Sequence, residues 1–63
     1  VENLHFMFSE LSVMKKKDLE ECKQELENSS HSAIVRKALM VYKSELLECL
    51  ELYDRYLDVK NNN

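Results

Sequence analysis

The 63 residues contain no glycine and no proline. Without glycine there is no Gly-rich loop to cradle a phosphate. Without either residue, a helix can be interrupted only by weaker punctuation. Two cysteines and two histidines leave little material for disulfides or metal. His5, Cys22, His31 and Cys49 are evenly scattered and lack the short paired spacings of zinc motifs. No metal is expected, nor any other cofactor. No apolar stretch approaches the ~20 residues of a membrane-spanning helix, so direct membrane insertion is not expected. The opening Leu4-His5-Phe6-Met7-Phe8 is too short for a signal peptide and lacks a basic start and a small-residue cleavage site.

Positive charge is also in short supply. A net charge of -3 and a pI near 5.3 argue against nucleic acid, whose phosphates need a basic surface. Lys15, Lys16 and Lys17 form the only basic run, and Asp18, Glu20 and Glu21 follow at once. They cancel its field within a Debye length of about 8 Å, so the run reads as a solvated patch. Catalytic equipment is missing too. Glu20, Glu21, Glu25, Glu27, Glu45, Glu48 and Glu51 fall on polar faces, away from the apolar pockets that raise a carboxyl pKa for acid–base work. There is no nucleophile motif and no lysine in an apolar setting. No catalytic residue is expected.

A chain of this length forms one domain at most. It hides only about 60% of the surface its unfolded form exposes, and such domains rarely gain more than ~3–5 kcal/mol from their own core. They need a staple, and with disulfide and metal set aside the remaining staple is a partner. The chain starts at Val1, not Met, and reads as a piece of a longer protein. A cytoplasmic address fits, with membrane association only peripheral and through the parent protein.

What is present is helical periodicity. Val35, Leu39, Tyr42, Leu46, Cys49, Tyr53 and Tyr56 alternate spacings of four and three, the seam of a helix packed lengthwise on other helices. Beyond Ser44, Leu46, Leu47, Cys49, Leu50, Leu52, Tyr53, Tyr56, Leu57 and Val59 cover more than half the circumference. A helix with one neighbour needs an apolar stripe of about 100°, so this coat implies two or more neighbours. The candidate contact residues are Val35, Leu39, Tyr42, Leu46, Cys49, Leu50, Tyr53, Tyr56 and Leu57, as core or as interface. The seam alone does not separate the two.

The first half carries two stripes, Leu4, Met7, Leu11 and Met14, then Leu19, Cys22 and Leu26. The apolar phase slips by one across Lys15–Asp18. A helix over about 2–28 is expected, continuous or gently bent through 15–18, although Asp18 and Glu21 have capping-box spacing and could restart it there. Asn28 to Ser32 read as the turn, because Asn and Ser divert hydrogen bonds from the helical backbone. Ser30 or Ser32 can cap the second helix, expected over about 32–60 with a polar tail at 61–63. In a hairpin folded about Ser30, Cys22 lies opposite roughly position 38. Cys49 is then about 16 Å further along at helical rise, beyond the ~7 Å a disulfide tolerates. Both cysteines sit on apolar stripes and behave as small hydrophobes.

Two segments support a resemblance. LEECKQEL at 19–26 and VYKSELLECLELYDRYL at 41–57 resemble the small helical pairing domain of Lin-type and Discs-large polarity scaffolds, the membrane-associated guanylate kinase group. Lys43-Ser44-Glu45-Leu46 looks like the junction that opens that family's third helix, and so implies a break near 43–44. The resemblance implies a three-helix unit that pairs with a related domain, two pairs joining into a tetramer. It places Leu19, Leu26, Val35 and Leu39 toward the partner, and Leu46, Leu50, Tyr53 and Leu57 in the tetramer core. Residues 43–57 are equally similar to the last helix of GAT adaptor domains of endosomal sorting. More loosely, they are similar to the second helix of the sporulation aspartyl-phosphate phosphatases. Where that family has Ser-Gln-Glu-Leu-Asp, this chain has Lys43-Ser44-Glu45-Leu46-Leu47.

The expectation is an all-α chain, an antiparallel helical hairpin or three-helix unit that assembles into a helical bundle. Its expected function is protein–protein interaction within a scaffold or adaptor, the partner being itself or another helical domain. The alternative is a small helical phosphatase acting on a bacterial response regulator.

Overall fold

Strong helix formers with no glycine or proline among them give two long helices, α1 over Glu2–Glu27 and α2 over Ala33–Asn62. The computed structural model describes the backbone of residues 2–62 and the side-chain surroundings of residues 3–58. Val59 of the apolar coat and Asn63 of the polar tail lie outside these bounds for side chain and backbone respectively. Among the described residues there is no strand, and the helices pack on each other as a hairpin measuring 47 × 14 × 13 Å. α1 runs unbroken through 15–18 and α2 unbroken through 43–44. Lysines at 15–17 favour helix intrinsically, and the Asp18–Glu21 pair lies inside α1 without starting a new helix.

The turn is built from side-chain hydrogen bonds. Asn28 Oδ1 accepts from the Ser30 amide at 3.0 Å and from Ser30 Oγ at 2.7 Å, closing an Asx-type turn. Ser32, not Ser30, caps α2: its Oγ accepts from the Val35 amide at 3.2 Å, and its carbonyl accepts from the Arg36 amide at 2.9 Å. No acidic residue lies in the first turn of α2, so this cap carries the helix start without help from a favourable charge. We expect Ser32→Ala to lose about 1 kcal/mol in urea unfolding, with Ser30→Ala losing less.

Arg36 ties the two helices together at the turn. Its guanidinium donates to the Leu26 carbonyl at 2.9 Å. That carbonyl is among the last in α1, which has no basic residue in its own final turn. A charged donor on such an unpaired carbonyl offsets the negative end of the helix dipole. His31 Nε2 lies 2.8 Å from Glu25 Oε1 across the same bend.

The packing seam has regular three–four spacing in both helices. On α1 it is His5, Phe8, Ser12, Lys15, Leu19, Cys22 and Leu26; on α2 it is Arg36, Leu39, Lys43, Leu46, Leu50, Tyr53 and Leu57. All of these are buried or half-buried. The core itself is Leu19, Cys22, Leu46 and Leu50, with Leu26 and Leu39 packed against it. Leu46 is the most completely buried large side chain. The apparent phase slip in α1 is therefore the seam passing through polar residues. Ser12 is buried and Lys15 half-buried, so the α1 seam never shifts; it only loses its apolar character for one turn.

Candidate interaction surface

The hairpin leaves much apolar surface in water. Leu4, Phe6, Met7, Val13, Met14, Ile34, Val35, Met40, Val41, Tyr42, Leu47 and Leu52 are all exposed. Scattered apolar residues on a surface need no explanation, whereas contiguous ones do. These are partly contiguous. Leu4, Met7, Leu11 and Met14 form a second stripe on α1, beside the seam rather than in it, with only Leu11 half-buried. On α2 the corresponding flank is Val35, Tyr42, Cys49 and Tyr56, with Ala38, Glu45 and Leu52 next to it.

Antiparallel packing sets these two flanks on the same side of the seam. The aromatic contacts mark where they meet: the Phe8 ring lies 4.3 Å from that of Tyr56 and 5.6 Å from that of Tyr53, centroid to centroid, tilted in both cases. The α1 side of the resulting face is polarised along its length. In the half far from the turn it is apolar, with Leu4, Met7, Leu11 and Met14 beside Cys49 and Tyr56. Toward the turn, α1 continues the same rows with Asp18, Glu21 and Glu25, whereas α2 keeps Val35, Ala38 and Tyr42 and adds one carboxylate, Glu45. None of the positions on these rows is Lys or Arg.

The opposite side of the seam has a different character. There an open groove of about 450 Å³ is lined by Leu26, Arg36, Met40, Lys43, Ser44 and Leu47. Its floor is apolar and its edge basic. A shallower depression on the outer surface of α2 is lined by Glu48, Glu51 and Leu52. Glu51 pairs with Arg55 one turn on, an exposed pair of the kind worth a few tenths of a kcal/mol.

The candidate contact residues divide cleanly. Leu46 and Leu50 are core, packed on α1 of the same chain. Leu39, Tyr53 and Leu57 are half-buried on the same seam, and Cys49 and Tyr56 are half-buried at its edge. Val35 and Tyr42 are exposed. The surface left open therefore includes α1 residues that α2 periodicity does not reach: Leu4, Met7 and Met14. Their stripe spacing was the available signal. Cys22 Sγ donates to the Leu39 carbonyl at 3.3 Å, in keeping with the hairpin register that sets Cys22 opposite position 38. Both cysteines are free thiols. Among the described residues no group of His, Cys, Asp or Glu side chains could hold a metal ion, and no helix is long and apolar enough to cross a membrane.

Comparison of the chain with protein-family models, with curated proteins and with solved structures finds no match.

Proposed function

We propose that this chain is a protein–protein interaction module, of the scaffold or adaptor kind, that works by packing its helices against those of a partner. The observation that carries this reading is the imbalance between the inside of the hairpin and its outside. Five of the fourteen seam positions are His5, Ser12, Lys15, Arg36 and Lys43, whereas large apolar side chains line the adjoining flank. A two-helix unit holding five polar residues in its seam while Leu4, Met7, Met14 and Tyr42 lie outside it is poorly made for life alone. It is well made for burial of the flank between helices.

In this reading the three-helix pairing unit and the tetramer of polarity scaffolds are one form that association could take. The GAT-type adaptor bundle is another. Either would supply the helices that the open flank calls for. The chemistry of the chain adds nothing that needs a substrate, so the role is binding without catalysis. Sedimentation equilibrium on the isolated chain tests the reading. The expected result is a mass at a multiple of 7.5 kDa that falls on dilution. A monomer mass at every concentration, with full helicity, would contradict self-association, and a pairing partner would then have to be heterologous.

A further inference from the structure

We propose that the groove on the Met40–Leu47 side of the hairpin docks an acidic amphipathic helix of another protein, laid lengthwise. The groove lies across the seam from the apolar flank. The proposal gives the interaction reading a second surface, and rests on that reading only in taking the occupant to be a protein helix. The floor is Leu26, Met40 and Leu47, and Arg36, Lys43 and Ser44 complete the lining. Met40 is 59% and Leu47 47% exposed, so the hairpin leaves this floor in water. Charge selects the occupant. The chain carries a net charge of -3, yet this side of it is basic. Antiparallel packing that sets the Leu4–Glu25 row beside the Val35–Tyr56 row on one side of the seam sets Lys16 and Lys23 beside Met40 and Leu47 on the other. The Cys22–Leu39 and Arg36–Leu26 hydrogen bonds fix the register, placing both lysines along the stretch from Arg36 to Leu47. Arg36 and Lys43 line the groove itself, and Lys37 stands one row out on α2. Glu20 and Glu27 occupy the next row of α1. Among the described residues, however, the ion pairs are His31–Glu25 and Arg55–Glu51, so none of these five cations is held by a carboxylate. Arg36 gives one N–H to the Leu26 carbonyl and keeps its other donors. A carboxylate arriving here meets unpaired donors, whereas a cationic partner meets like charge.

Spacing gives the occupant its shape. Lys16 and Lys23, Arg36 and Lys43, and Met40 and Leu47 are all pairs seven residues apart. Rows with a shared seven-residue repeat match those of a helix crossing at a shallow angle of about 20°. Met40 and Leu47 take its apolar row, while Lys16 and Lys23 on one side and Lys37 on the other meet its carboxylates. From Arg36 to Leu47 the groove runs roughly 16 Å at 1.5 Å rise per residue, about three turns of helix. A groove open along its length suits a helix, whereas a small amphiphile takes a pocket that encloses most of its surface. A second copy of the chain does not fit. Among the described residues neither helix exposes two apolar side chains seven residues apart with carboxylates on both sides of them.

The probe is a stapled helical peptide with leucines seven residues apart and glutamates on both sides of them, labelled for fluorescence anisotropy. Its control carries lysine for every glutamate. On the unaltered chain the acidic peptide should bind at least about tenfold tighter than the control, and lose about tenfold as salt rises from ~0.05 to ~0.5 M. This comparison does not depend on the folding of any variant. At about 0.15 M salt, Lys16→Glu with Lys23→Glu should weaken the acidic peptide about tenfold. Lys17→Glu with Arg55→Glu makes the same change of net charge on outer rows and should stay within about threefold. Met40→Asp with Leu47→Asp should cost on the order of 100-fold, because the floor itself then repels the acidic helix. Equal binding of the two peptides, or an acidic peptide held no better than about 1 mM, would overturn the groove assignment; an oligomeric mass for the chain alone would still leave the association reading standing. An oligomer of the chain dissolved by the Met40 and Leu47 changes would overturn it by making the occupant a second copy. Dodecanoate bound more tightly than the peptide would overturn it by making the occupant a small amphiphile. Selective binding of the acidic peptide by a chain that stays monomeric would support the groove even as self-association failed.

Discussion

Leu46→Asp is expected to abolish the helical structure of the chain at every concentration tested. Leu46 is the most completely buried large side chain in the hairpin, and it sits among Leu19, Cys22 and Leu50. Removing a buried leucine costs about 2–5 kcal/mol through lost transfer and the cavity left behind. Placing a carboxylate there adds several more, because nothing in the core can pair with it. A domain of this size gains only ~3–5 kcal/mol from its core, so the variant has no folded state left. Leu47→Asp, one residue on and exposed, should keep its helicity and lose no more than about 1 kcal/mol, mainly in helix propensity. Circular dichroism with urea unfolding separates the two. A helical, cooperatively melting Leu46→Asp variant would show that α2 does not pack on α1 through this face.

Lys15→Leu combined with Lys43→Leu should stabilise the hairpin by about 2–3 kcal/mol. Both lysines occupy seam positions and are half-buried, as a long basic side chain can be when its stem lies on apolar surface and its charge stays in water. A leucine at each place adds apolar burial and removes the partial desolvation of a charge. For a domain of about 60 residues the gain corresponds to a rise in melting midpoint of roughly 10–20 °C. Thermal melts at one fixed chain concentration check it. A midpoint that stays level or falls would mean that these two positions face solvent, and with them the polar part of the seam.

The two-helix architecture is legible in the chain, and the details of phase are less so. An unbroken run of helix formers on either side of Asn28–Ser32 leaves few alternatives to a hairpin. Hydrophobicity alone, however, selects Val35, Tyr42, Cys49 and Tyr56 to accompany Leu39, Leu46 and Tyr53. In the folded chain those companions lie on the flank or at its edge. The seam proper takes Arg36, Lys43, Leu50 and Leu57, one position further on. Arg36 and Lys43 look like surface residues to any apolar template, yet a long basic side chain can line a seam while its charge escapes. The same cause hides the continuity of α1. Ser12 and Lys15 interrupt the apolar pattern, so the Leu4–Met14 and Leu19–Leu26 stripes look like one face with a slip when they are two faces. Only the packing of Phe8 on Tyr53 and Tyr56 shows which side of the seam the first stripe borders. A single helix is read well from its own periodicity; which of two apolar stripes its neighbour will choose depends on both helices at once.

Ser12 fits the same picture. It is the one buried polar side chain among the described residues, and it sits in the half of the hairpin where the flank is most apolar. A small residue there lets the helices approach closely but contributes little burial of its own. Burial in that half comes instead from Phe8 packed on Tyr53 and Tyr56.

The measurement that tests association most directly is the melting midpoint of the chain across a hundredfold range of concentration. A folded state that exists only in the assembled form gains RT ln 100, about 2.7 kcal/mol, over that range. For two chains melting together this corresponds to a midpoint higher by roughly 10 °C at the concentrated end. A midpoint that does not move, with a mass of 7.5 kDa throughout, would show a hairpin that stands alone and would contradict self-association.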